Sequence, residues 1–163
     1  MKRMIALSLV LCLMLSGCAT FGERIKDPVT FHYLCSSYRE DLCCVIVSEQ
    51  RESSGHIGDL SYLLALYSMG PVSEDMTSPL PLGTRITASR QDGNILLQLN
   101  DACAGLSDIE FSLACACLTL TCLDITAAET VTITCGDRTK TMDRSALTLA
   151  DAPAETISTE ETK

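Results

Sequence analysis

Residues 107–136 read Ser-Asp-Ile-Glu-Phe-Ser-Leu-Ala-Cys-Ala-Cys-Leu-Thr-Leu-Thr-Cys-Leu-Asp-Ile-Thr-Ala-Ala-Glu-Thr-Val-Thr-Ile-Thr-Cys-Gly. The stretch changes period in its middle, and that change sets the fold class. Its first half opens on a capping box, in which the Ser107 hydroxyl and the Glu110 carboxylate satisfy each other's orphan amides. The apolar spacing that follows predicts a helix to about Leu123. In the second half Val131, Ile133 and Cys135 alternate with Thr130, Thr132 and Thr134, which predicts a strand with one buried face. On a helical wheel Ile109, Leu113, Ala116, Cys117, Leu120 and Leu123 share one face. Phe111, Cys115, Leu118 and Cys122 form a second apolar stripe opposite. A helix lying on a single sheet should have a solvated back, and this one has none. Two readings follow. Either the tail, the N-terminal strands or a neighbouring helix covers the second stripe, or the stripe is an assembly surface.

Upstream, Thr84–Arg90 and Asn94–Leu99 read as a hairpin around Asp92-Gly93, a pair that tolerates the positive φ of tight turns. Val72–Leu82 reads as a long loop. Ile57–Met69 recurs at helical spacing, with Ile57, Leu60, Leu64 and Tyr67 on one side and Tyr62, Leu66 and Met69 on the other. Asp59 falls in its first turn, where the helix dipole favours a carboxylate, and Gly70-Pro71 stops it. Before it, Gln50–Gly55 reads as a polar loop, Leu42–Val47 as a strand covered on both sides, and Val29–Cys35 as a strand with Val29, Phe31, Tyr33 and Cys35 on one face. Downstream, Gly136-Asp137 turns into a short return strand, Arg138–Met142. The order predicts an α+β domain, two helices packed on a small mixed or antiparallel sheet. Its candidate interface residues are Phe111, Cys115, Leu118, Cys122, Tyr62 and Leu66.

The N-terminus carries an address. Lys2 and Arg3 precede an uncharged run from Met4 to Leu15 that is interrupted only by Ser8. Twelve residues are too few for a membrane-spanning helix, which needs about 20, but they suit the apolar core of an export signal. Leu15-Ser16-Gly17-Cys18 then resembles the lipobox of bacterial lipoproteins. That resemblance implies a signal peptide over residues 1–17, cleavage before Cys18 and diacylglycerol on its thiol. The protein would then sit on the extracytoplasmic face of the cell membrane. Two acyl chains anchor a protein firmly. Residues 18–27 form the lipidated cysteine and its tether, residues 28–145 the folded domain, and residues 146–163 an acidic tail predicted to be disordered.

Charge and cysteine count narrow the function. The chain of 163 residues has a net charge of −9; loss of residues 1–17 leaves 10 basic against 21 acidic residues, near −11. Nucleic-acid binding needs a basic face, so that class is set aside, as is electrostatic docking on anionic lipid. Ten cysteines are present. Eight remain besides Cys12 and Cys18, and they leave free core thiols and disulfides both open. No Cys-x-x-Cys occurs, and His32 and His56 stand apart from the cysteine clusters, so a zinc site lacks support. A thiol enzyme pairing Cys44 or Cys35 with His56 or His32 is an alternative that nothing in the spacing favours.

The order of these pieces resembles the GerMN domain, named for a spore germination lipoprotein. The matching residues are Leu66-Tyr67-Ser68-Met69-Gly70-Pro71, Leu80-Pro81-Leu82-Gly83-Thr84, Asp92-Gly93 before Leu97-Gln98-Leu99-Asn100, the small-residue helix Leu113–Leu123, and Val131-Thr132-Ile133 with Gly136. The resemblance implies a ring-building-motif-like fold, a non-catalytic module without a cofactor, and a protein partner or self-association. Cysteines in the second helix, and Cys135 before Gly136, depart from the family's usual residues and weaken any inference about a particular partner surface. The resulting expectation is a lipid-anchored interaction or scaffold module in sporulation, germination or envelope assembly. The alternative is a lipoprotein that senses a small ligand.

Overall fold

The computed structural model describes residues 25–36 and 45–147. The segment expected to be a signal peptide, Cys18, Cys43, Cys44, most of the expected tether and the tail from residue 148 lie outside the described residues. Strand β1 (Pro28–Cys35) pairs antiparallel with β2 (Ile46–Glu52) along its length, and with the two-residue β3 (Met76–Thr77) at its end. Helix α1 (Leu60–Ser68) lies between β2 and β3 in sequence. A second sheet has the order β4-β5-β6-β7, from β4 (Ile86–Gln91), β5 (Asn94–Leu99), β6 (Thr130–Cys135) and β7 (Arg138–Asp143). Helix α2 (Asp108–Ile125) joins β5 to β6, which run parallel; every other pair is antiparallel. A parallel pair needs such a crossover because a tight turn cannot reverse direction twice. The fold is therefore α+β.

Local chemistry accounts for the ends of these elements. The Ser107 hydroxyl accepts from the Glu110 N–H at 3.3 Å, and the Glu110 carboxylate accepts from the Ser107 N–H at 2.8 Å, so the capping box closes α2 at its start. At its end the Thr126 hydroxyl donates to the Cys122 carbonyl at 2.7 Å. The β4–β5 turn places Asp92 at φ 49° and Gly93 at φ 83°, the paired positive angles that a two-residue hairpin turn demands.

Several expectations are revised. The single sheet is two sheets. Strand β2 begins at Ile46 and runs through Gln50–Glu52, where the sequence reads as a loop; Val45 is exposed rather than buried between layers. The long loop after α1 contains β3, and Ile57 lies outside α1, exposed to solvent. In β2 the residues opposite buried Tyr33, Phe31 and Val29 are Val47, Glu49 and Arg51. They share the inward face, but two of the three are charged, so the hydrophobic alternation that marks a strand is hidden.

One core holds both sheets. Phe31 and Tyr33 of β1 meet Tyr67 of α1, the two tyrosine rings stacked at 4.7 Å between centroids and Phe31 edge-on to Tyr67 at 5.8 Å. Each tyrosine hydroxyl is satisfied: Tyr33 donates to the Tyr67 carbonyl at 3.1 Å, and Tyr67 donates to the His32 carbonyl at 3.0 Å. Ile95, Leu97 and Leu99 of β5 and Val131, Ile133 and Cys135 of β6 complete the core. Helix α2 packs against β1 of the first sheet and against β6 and β7 of the second.

Candidate functional site

That position explains the two apolar stripes of α2. Phe111 is 2% exposed, and Cys115, Leu118 and Cys122 are each 0% exposed. The stripe offered as an assembly surface is core, because α2 has a sheet on either side and no back to present. Of the opposite face, Ala116 and Cys117 are buried, whereas Ile109 is exposed on the first turn. Tyr62 and Leu66 of α1 are half-buried and pack against the core from its edge.

Side chains that sequence reasoning passed over fasten α2 to both sheets. The Arg138 guanidinium of β7 lies 4.2 Å from the centroid of the Phe111 ring. It donates to the carbonyls of Leu106 at 2.8 Å and Cys103 at 2.6 Å. On the other side the His32 N–H donates to the Thr121 hydroxyl at 3.0 Å, and His32 Nε2 lies 2.7 Å from an Asp124 carboxylate oxygen. Arg144, just beyond β7, donates to the other oxygen of Asp124. Burial pushes the Asp124 carboxyl up, but the hydrogen bonds from His32 and Arg144 outweigh it and hold its pKa below the ordinary value. Asp124 thereby ties β1, α2 and the segment after β7 together.

The histidines proposed for thiol chemistry have other contacts. His32 turns Nε2 to Asp124, and the His56 ring stacks on Tyr62 at 4.0 Å. Cys44 lies outside the described residues, and Cys35 is half-buried at the end of β1. Cys103, Cys115, Cys117, Cys122 and Cys135 are buried free thiols. Burial pushes Cys115, Cys117 and Cys122 up to about 12, so these three stay protonated and weakly nucleophilic at neutral pH. Among the described residues no group of three or more His, Cys, Asp or Glu is placed to hold a metal ion.

A surface groove of about 810 Å³ runs along β2 among the described residues, lined by Ile25, Lys26, Glu49, Arg51, Leu66 and Val72 among others. Its two inward charges have structural partners. Arg51 reaches the C-terminal end of α1 and donates to the carbonyls of Leu66 at 3.4 Å and Gly70 at 3.0 Å, where cations are favoured by the helix dipole. The Glu49 carboxylate accepts from the N–H groups of Val72 at 3.1 Å and Ser73 at 3.3 Å. Sequence alone shows only a polar run here. The alternation of half-buried and exposed residues through Val47, Glu49 and Arg51 becomes readable once charges are allowed on the inward face.

Protein-family models and curated proteins give no match to this chain. Among solved structures, it is similar to the tandem GerMN domains of the sporulation protein GerM from Bacillus subtilis. The TM-score is 0.51 and the sequence identity 18%; the match covers 68% of this chain and 39% of that one. The chain thus spans well under half the length of its structural neighbour. At this identity the likeness speaks for architecture, and the architecture is the GerMN fold.

Proposed function

We propose that the protein is a lipid-anchored module on the extracytoplasmic face of the cell membrane, acting without catalysis as a GerMN-type interaction or scaffold unit in sporulation, germination or envelope assembly. The conjunction of a lipobox at Leu15–Cys18 with the GerMN fold carries this reading. The sporulation assignment of the neighbour supports the cellular setting, and the high pKa of the core thiols favours a non-catalytic role for them. A sensor of small ligands is the second reading. The groove along β2 favours it by size, since ligand pockets span about 300–1,000 Å³. The prior engagement of Glu49 and Arg51 with backbone groups weighs against it. Cross-linking of the tagged lipoprotein in intact cells separates the two. A discrete ladder or a fixed membrane-protein adduct is expected from an assembly module; a monomer under every growth condition would overturn that role and favour the sensor.

A further inference from the structure

The described residues begin beside the groove along β2, and exposed apolar side chains lie there. Ile25 lines the groove together with Val72. Val72 is 75% exposed, and Met69, at the end of α1, is 79% exposed. Met69 lies three residues before Val72 in the chain, and Arg51 and Glu49 hold the backbone at Gly70 and Val72. Single exposed hydrophobes are ordinary; two on one groove, with a third three residues along the chain, mark a surface that meets something apolar.

The length of chain before this groove identifies the occupant. Six residues, and so seven backbone steps, separate Cys18 from Ile25. Fully extended they reach about 25 Å, no more than the width of a domain this size. On the anchoring reading given above, on which this inference rests, a tether so short keeps the groove nearest the bilayer. We propose that Ile25, Met69 and Val72 dip into the headgroup and acyl boundary of the membrane, so that the domain docks on the bilayer with one fixed face. The attraction is apolar burial, since Lys26 and Arg51 are balanced by Glu49 and Glu52 around the same groove.

The chain contains no Trp, so a single introduced indole reports one position. The lipidated full chain, carrying Val72→Trp, would be reconstituted in vesicles of phosphatidylethanolamine and phosphatidylglycerol with brominated acyl chains. Ile109→Trp is the matched control, because Ile109 is 74% exposed on α2 and does not line the groove. Met69→Trp provides a second reporter should the first variant fold poorly. The expected result is quenching at residue 72 at least about twofold above that at residue 109, with a blue-shifted emission. Intact mass measured on the same sample reads the lipid on Cys18. Lipid present with equal quenching at both positions overturns docking and leaves anchoring intact. A mass without diacylglycerol overturns anchoring and the docked face with it.

Discussion

Arg138 shows how one side chain acts on two scales of structure. Its planar guanidinium covers Phe111 and donates to three carbonyls of the turn before α2. Arg138→Ala removes the ring contact and leaves those carbonyls with water as their only alternative. The expected cost is about 2 kcal/mol in urea unfolding, and Arg138→Lys should recover only part of it because an ammonium lacks the fork. Asp124 makes a claim about pH. Its folded pKa lies below the ordinary 3.8, so the stability it contributes is present above 3.8 and lost as pH falls through the lower folded value. Asp124→Asn should flatten the acid limb of the stability curve in that window. Glu110 and Asp143 are also depressed and act in the same direction, so part of the limb should remain. The thiols give a third test. Alkylation of the native protein followed by mass spectrometry should leave Cys103, Cys115, Cys117, Cys122 and Cys135 unlabelled until denaturant is added, because the reagent requires an accessible thiolate. None of these residue-level partnerships is readable from spacing, since Arg138 lies 32 positions from Leu106 and His32 92 positions from Asp124.

Elements were legible where local chemistry decides them. The capping box at Ser107 is a four-residue signal, and the structure contains both of its hydrogen bonds. Ser107→Ala should cost about 1 kcal/mol, readable as a lower midpoint in thermal or urea unfolding, with a larger effect on exchange of the first α2 amides than of the β-sheet amides. The Asp92-Gly93 turn and the alternation in β6 are of the same kind: the residues that specify them are adjacent. Strand β2 is the counterexample. Its inward Glu49 and Arg51 obscure the pattern, and they do so at a sheet edge. Inward-pointing charge on an edge strand discourages pairing with another chain. Here the charges also cap α1 and clasp the loop after it, so the residues that hide the strand from a sequence reader have two structural uses.

At the scale of the whole molecule, the two apolar stripes of α2 are resolved by its neighbours. Leu118 is fully buried in a core that both sheets share. Leu118→Ala should cost about 2–5 kcal/mol. Leu118→Glu should prevent folding outright, seen as loss of near-ultraviolet circular dichroism, rather than alter the size of an assembly while leaving the domain intact. The sequence by itself determined the α+β class, the hairpin, the cap and span of α2, the likeness to GerMN domains and the expected lipobox, because each depends on residues that are neighbours or lie in fixed order along the chain. Only the tertiary structure decided that there are two sheets, that Phe111, Cys115, Leu118 and Cys122 face inward, and that Ile25 and Val72 line one groove. Helical periodicity specifies which residues share a face. What that face meets depends on chain segments tens of residues away, and their placement is settled only by burying all the apolar faces at once.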